Sequence, residues 1–380
     1  MKKIYLDYSA ATPMRPEVYE AMRPFFSDKF YNPSAIYLLA KDVRDQLEAA
    51  RRSVAGLLGA RPAEIIFTAG ATEANNLAVQ GIGRQFPDGE MLVSSIEHES
   101  VAAPAGLFGA RQIPVDSHGV IILNKLSNLI NNKTVLVSVI MASNELGTIQ
   151  PLADIAKIIS DVRRQRQNKG NKLPIYLHSD AAQAGNYFDL HTSRLGVDLL
   201  SLNGGKIYGP KQSGALYVKA GVKLQPLIVG GGQEFGLRAG TENVAAIIGL
   251  AKALELAQAR RQEESQRLAG LRKTFEKRLT GKFENVIVNG GKRRAPHISS
   301  LTFPGQDNER LLMQLDERGI MCAAGSACSA SSQEPSAVLQ AIGLSKELAQ
   351  STLRFSFGAA TSPADIDAVV SALEAILINR

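Results

Sequence analysis

Two strings decide the reading: LPIYLHSDAAQAG, residues 173–185, and DLLSLNGGKIYGPKQSGALYV, residues 198–218. In the first, an apolar run from Leu173 to Leu177 leads up to Asp180. In the second, DLLSL leads up to Lys206. Apolar runs that each end in a charged residue among small residues predict buried parallel strands whose carboxyl ends face a ligand. Gly204, Gly205, Gly209, Pro210 and Gly214 crowd around Lys206, as expected where backbone approaches a bound molecule closely. A surface lysine and a capping aspartate are the plain alternative for either residue alone. The second string is not a Walker phosphate loop. Gly204 and Gly209 have the spacing, but Pro210 stands where the lysine is required and has no amide proton. GIGRQF, residues 81–86, lacks the third glycine of a dinucleotide fingerprint.

An acid and a lysine presented from neighbouring strand ends suit pyridoxal 5'-phosphate (PLP). The lysine amine holds the aldehyde as a Schiff base, and the acid keeps the ring nitrogen protonated so that the ring accepts electrons. The surrounding chain agrees with such a fold. From Glu64 onward, strand-like runs (EIIFTAG, MLVSSIEH, TVLVSVIMAS, PIYLHSD, DLLSL, GALYV) alternate with helix-like segments. This predicts an α/β fold with a mostly parallel sheet and helices on both faces. A long helix begins near Asn243, with Leu268, Leu271, Phe275 and Leu279 forming a core stripe in its later part. After it, ENVIVNG, HISSLTF and TLRFSFG read as strands mixed with helices, a smaller α+β domain. The expected division is residues 15–255 for the large domain, with 1–14 and 256–380 forming the small one.

Composition narrows the classes. At 380 residues and 45% apolar, the chain is an ordinary globular protein, and no stretch nears the roughly 18 apolar residues of a membrane span. The start, MKKIYLDYSAATP, has no apolar secretory core, so a cytoplasmic protein is expected. Two cysteines, Cys322 and Cys328, exclude a disulfide framework and match no zinc spacing, so no metal is expected. The net charge of +7 comes from short basic runs that read as solvated helix ends and turns. No direct nucleic-acid binding is expected.

Several residues carry candidate chemistry. Gly70, Ala71 and Thr72 place amides and a hydroxyl at a helix start, which favours a phosphate; a plain cap by Thr72 is the alternative. His98 closes MLVSSIEH, where an imidazole can stack on a pyridine ring and titrate near neutrality. Asn144 in SNELG and Gln183 beyond Asp180 can orient ring substituents or a carboxylate. Arg354, inside the strand TLRFSFG, is a natural fork for an amino-acid carboxylate, with an internal salt bridge the equal alternative. Cys328 lies in MCAAGSACSASSQEPS, whose small polar residues predict a mobile loop and suit a nucleophile. Cys322, beside Ile320 and Met321, reads as a buried structural thiol.

Taken together, the chain resembles a cysteine desulfurase of the NifS/IscS type, PLP enzymes of aminotransferase fold type I. The likeness runs nearly end to end through YLDYSAATP, NPSA, FTAGATEANNLA, EHES, SNELG, HSDAAQ, KIYGPKQSGALYV, GGGQEFGLRAGTENV, GSACSASSQEPS and LRFSFG. The segment around Cys328 resembles the longer loop of the IscS-like branch rather than the short SufS-like loop. The resemblance implies that Lys206 binds the cofactor and moves a Cα proton. Asp180 would pair with the ring nitrogen and Gln183 with the ring hydroxyl, while His98 would stack on the ring. Thr72 would bind the phosphate, and Thr241 that of a neighbouring subunit, making a homodimer. Asn144 and Arg354 would hold the carboxylate of L-cysteine, and Cys328 would take its sulfur. The sulfur would pass to an acceptor protein, for iron–sulfur cluster assembly or tRNA thiolation. The family's Ser-x-His-Lys reads Asn203-Gly204-Gly205-Lys206 here, so phosphate contacts fall to an amide side chain and a backbone amide. NPSAIYLLA also departs, with Tyr37 and Ala40 at the usual histidine and glycine. Other readings are a selenocysteine lyase, an aminotransferase-like PLP enzyme, or a catalytically weakened sulfur-transfer scaffold. A transaminase has no need of Cys328.

Overall fold

The computed structural model describes residues 3–325 and 335–378. Seven strands make the main sheet: β1 Ile65–Thr68, β2 Glu90–Ser94, β3 Arg111–Ile113, β4 Thr134–Ser138, β5 Tyr176–Asp180, β6 Leu199–Asn203 and β7 Gly214–Val218. Their spatial order is β1-β7-β6-β5-β4-β2-β3. All pairings are parallel except those of β7, which runs against both neighbours. The mostly parallel sheet expected from the alternation is present. The reversal of β7 follows from its short connection to β6, since a parallel return needs a crossover of about a dozen residues or more.

Alternate residues of each strand enter different cores, the two-residue period of extended chain. Ile65, Phe67, Leu92, Val137 and Leu200 join one apolar cluster, and Ile66, Met91, Val93, Leu136 and Leu199 join another. Both faces are therefore covered, and helix α1 (Leu38–Leu58) packs in the first cluster while α2 (Ala71–Gln85) packs in the second. The turn from β1 into α2 passes through Gly70 at φ 122°. A Cβ on Gly214 would lie 2.6 Å from the backbone of Gly70, so the start of β7 needs glycine.

A second, antiparallel sheet holds β8 (Ile287–Val288), β9 (Ile298–Thr302) and β10 (Thr352–Ser356), in the order β10-β9-β8. The runs read as strands after the long helix are these three. That helix, α3, spans Val244–Lys282, and the Asn243 side chain accepts from the Ala246 amide at its start. At 39 residues it is about 58 Å long. Its side chains up to Ala257 join the main-sheet core, and from Leu268 onward they join Phe303, Phe355 and Phe357 under the second sheet. The amino terminus belongs to that second core. Ile4–Tyr5 pairs with Ile320–Met321, and Leu6 is fully buried there.

One buried ion pair locks α1 onto the sheet edge. Arg51 reaches Glu234 through two hydrogen bonds of 2.7 and 2.8 Å, and Glu234 also accepts the Phe67 amide of β1 at 2.7 Å. Arg51 further donates to the Ile65 carbonyl, and its guanidinium stacks between Phe67 and Phe235. Glu234 and Phe235 both adopt left-handed backbone, at φ 48° and 57°, a conformation that costs non-glycine residues energy and persists only when overdetermined. We expect Arg51→Met to destabilise the fold by about 3–5 kcal/mol, because it strands the Glu234 charge. The double change Arg51→Met with Glu234→Met should recover part of this, but not all, since the Phe67 amide stays unpaired. Denaturant midpoints of the three proteins test it; a double variant no more stable than the single one refutes the charge-stranding account.

Candidate active site

The site is built on the carboxyl ends of the central strands. Asp180 ends β5 and is buried. One carboxylate oxygen accepts the Ala182 amide at 2.8 Å, and the other accepts Asn75 Nδ2 at 2.8 Å. Asn75, on α2 and fully buried, also donates to Ser100 Oγ at 2.8 Å. Ser100 in turn meets His98 Nδ1 through its hydroxyl at 2.8 Å and its amide at 3.0 Å. His98 thus caps the helix Glu99–Gly106. Because Nδ1 accepts, the neutral ring carries its proton on Nε2. One chain of hydrogen bonds links the imidazole to the carboxylate.

Lys206 closes a single 3₁₀ turn, Gly204–Lys206, directly after β6. Its Nζ donates to the carbonyls of Ser9 (2.8 Å) and Ala10 (2.6 Å). Gln183 Nε2 donates to the same Ser9 carbonyl at 2.9 Å. Arg354, buried within β10, pairs with Asp7 at 2.7 Å and donates to the Asn144 carbonyl at 3.1 Å. The ion pair and the open fork were alternatives in the sequence; the salt bridge to Asp7 is present, and Arg354 also faces the cavity.

A single cavity collects Ala71, Thr72, His98 and Asn144. Asp180, Gln183, Asn203, Lys206 and Arg354 line it too. Some expected details differ. The helix cap is Gly70, with Thr72 exposed one step inside the first turn. Strand β2 stops at Ser94, so His98 is placed by the helix after it. Asn144 follows β4 by six residues rather than ending it. Gly205 is buried and its amide donates to Asn203 Oδ1 at 3.0 Å instead of facing the cavity. Thr241 is exposed and does not line this cavity. Cys322 packs against the second core, and burial pushes its thiol pKa up. Cys328 lies outside the described residues. Ser9, Ala10, Asn75, Glu97 and Ser100 were not singled out by sequence reasoning; YLDYSAATP and EHES, blocks of the resemblance, contain four of them.

The residues fit PLP. The first amides of α2 have no intrahelical acceptor and open onto the cavity with the positive end of a 15-residue helix. A carboxylate for a ring nitrogen, Asp180, and an amine for an aldehyde, Lys206, line it as well. Ser9 Oγ and Arg354 Nε, both on cavity residues, are buried donors with no partner among the described residues.

Residues 4–369 match the family model Aminotransferase class-V. The chain belongs to that family. Among curated relatives, a cysteine desulfurase IscS from Dictyoglomus turgidum is 40% identical, over 99% of this chain and 95% of its own. A solved NifS-like protein superposes with a TM-score of 0.90 at 30% identity, covering 100% of both chains. A structure titled SspA in complex with cysteine matches at a TM-score of 0.78 and 35% identity, over 94% of this chain and 99% of that one. Within the class-V family the chain thus stands among the PLP-dependent cysteine desulfurases.

Beside this class-V site, Glu97 carries a large electrostatic perturbation. Burial pushes its pKa up to about 8, and the nearby charge of Asp180 adds to the rise. Hydrogen bonds from Ser94 Oγ (2.5 Å) and the Ile140 amide (2.6 Å) oppose the shift without cancelling it. Near neutral pH the folded chain therefore holds a proton that the unfolded chain gives up, so stability from this group falls as pH rises from about 4.5 to about 8. We expect a slope of up to about 1.4 kcal/mol per pH unit across that window, and its loss in Glu97→Gln. Unfolding free energies of both proteins between pH 5 and 8 check this; parallel curves would show that Glu97 is already ionised. No helix among the described residues is long and apolar enough to cross a membrane.

Proposed function

We propose that the chain converts L-cysteine to L-alanine and takes the sulfur as a persulfide on Cys328. The observation that carries this reading is the single cavity where Lys206, Asp180, His98, Gln183 and Arg354 meet. It stands in a chain whose full-length relatives are cysteine desulfurases. The chemistry balances without an outside oxidant. The substrate's Cβ–S bond breaks and Cβ gains hydrogen, while an S–S bond forms and Cys328 ends as S–SH.

PLP, when bound, supplies the electron sink that makes the substrate Cα–H acidic and the Cβ–S bond weak. The chain does the rest. Lys206 Nζ would hold the cofactor and carry the Cα proton. The Asp180 carboxylate would hold the ring nitrogen, and Gln183 the ring oxygen. His98 would lie against the ring and pass protons through Nε2. Ala71 and Thr72 bind the phosphate. Asn203 joins them, with the Gly205 amide holding Oδ1 so that Nδ2 is the end turned to the phosphate. Arg354 and Asn144 hold the substrate carboxylate.

The same reading makes the active unit a homodimer, with Thr241 reaching the partner's phosphate. Exposed apolar side chains support a partner: Ile36 is 97% exposed, Leu38 83% and Val229 78%. We also assign residues 15–255 to a large domain and 1–14 with 256–380 to a small one, in a cytoplasmic enzyme. The change of core along α3 supports that division. The sulfur passes to an acceptor protein for iron–sulfur assembly or tRNA thiolation.

Incubation with L-cysteine and a reductant should release alanine and sulfide in equal amounts. Cys328→Ala should still bind PLP but release almost no alanine, and mass spectrometry without reductant should find one extra sulfur on the Cys328 peptide. Undiminished alanine release by Cys328→Ala refutes the nucleophile. The Ser-to-Asn and His-to-Gly departures give a second test. A Cβ at Gly205 meets the flexible Lys211 side chain at 3.2 Å, Asn203 Oδ1 at 3.4 Å and Lys211 Cα at 3.8 Å, so the Lys211 side chain is the neighbour that must give to admit a side chain there. Gly205→His with Asn203→Ser should retain PLP several-fold longer on dialysis, and equal retention would mean the phosphate is already satisfied.

A further inference from the structure

His297 is a buried imidazole outside every role assigned above, at 2% exposure just before β9. Its ring stacks on Tyr187 with centroids 4.2 Å apart and planes 26° from parallel. Its Nε2 lies 3.3 Å from Gln183 Oε1. Burying an imidazole costs energy that an apolar ring stacked on Tyr187 would not incur. What the imidazole adds is a directed hydrogen bond.

That bond has one consistent assignment. Gln183 Nε2 donates to the Ser9 carbonyl at 2.9 Å, and an amide flipped the other way would set two acceptor oxygens against each other. The oxygen end of Gln183 must therefore face His297, and an amide oxygen only accepts. So Nε2 of His297 carries the proton, and Nδ1 is bare. Nδ1 is the ring atom that has no partner among the described residues. Burial keeps the ring from taking a second proton and lowers its pKa to about 3, and the charges of Arg354 and Arg272 work in the same direction.

We propose that His297 is a positioning residue for the cofactor: it locks the Gln183 amide so that an N–H, and not the carbonyl, faces the ring oxygen of PLP. One Gln183 N–H is spent on Ser9, and the other is left for the cavity that Gln183 lines. This rests on the reading that the cavity binds PLP. A donor held on the ring oxygen draws electron density from it and weakens its hold on the proton shared with the lysine nitrogen. The pH midpoint of the cofactor's visible absorption change is then lower with the lock than without it.

His297→Phe keeps the stack on Tyr187 and removes the donor, and His297→Asn keeps a donor. With PLP loaded, the midpoint should rise by roughly one pH unit in His297→Phe and return toward the parent value in His297→Asn. A midpoint unmoved in a His297→Phe protein that still holds PLP overturns the proposal, whereas failure of the parent chain to bind PLP overturns the cofactor reading instead. A measurement on the parent chain without cofactor stands apart from folding of the variants. Nitrogen-15 spectra of histidine-labelled protein should show His297 neutral, protonated on Nε2; a proton on Nδ1 refutes the lock.

Discussion

A guanidinium inside a strand is tolerated only where its charge and its donors are met, and Arg354 is met from several directions at once. Asp7 supplies the charge, the Asn144 carbonyl takes a donor, and the backbone of Ala323 pairs with that of Arg354. These partners come from the amino-terminal segment, the loop after β4 and the chain following Ile320–Met321. Satisfying one side chain thus fixes the position of three segments remote in sequence. The segment held by Asp7 continues to Ser9 and Ala10, whose carbonyls hold Lys206 and Gln183. Electrostatic satisfaction of the second sheet is in this way transmitted to the amine at the end of β6.

Two carboxyls near each other divide their tasks by environment. Asp180 receives a backbone amide and the Asn75 amide, both neutral donors held by buried structure. Glu97 is buried too, with Asp180 as an electrostatic neighbour, and retains a proton to near pH 8. Crowding two negative charges in a low-dielectric interior is avoided by leaving one of them neutral. The hydrogen bonds around Asp180 then run outward through Asn75 and Ser100 to His98 without crossing another charge.

Asp180 and Lys206 were legible because strand ends announce themselves as apolar runs stopping at charged and small residues. Arg354 was legible because a charge between apolar neighbours in a strand demands a reason. The direction of β7 was not drawn from the sequence, since a buried strand reads alike in both directions, although the short link from Asn203 to Gly214 contains the answer. The contributions of Ser9 and Ala10 were hidden for a different reason. They act through carbonyl oxygens, which every residue has, and across 196 or 197 positions of chain. Asn75 reads as an ordinary helix residue; only tertiary placement beneath Asp180 gives it work. His98 was found as a residue but placed on the wrong element, because MLVSSIEH keeps strand-like composition past the point where pairing stops at Ser94.

Helix α3 has its two ends in different cores, and no break in its hydrogen-bond ladder separates them. To lose the second core alone, the chain must end this helix in mid-span, leaving about four carbonyls without amide partners and a nucleation cost to regain. That penalty falls on partial unfolding and not on complete unfolding. A shared helix of this kind therefore acts as a cooperativity device: it makes half-folded species costly, and the cores around its two ends melt more nearly as one.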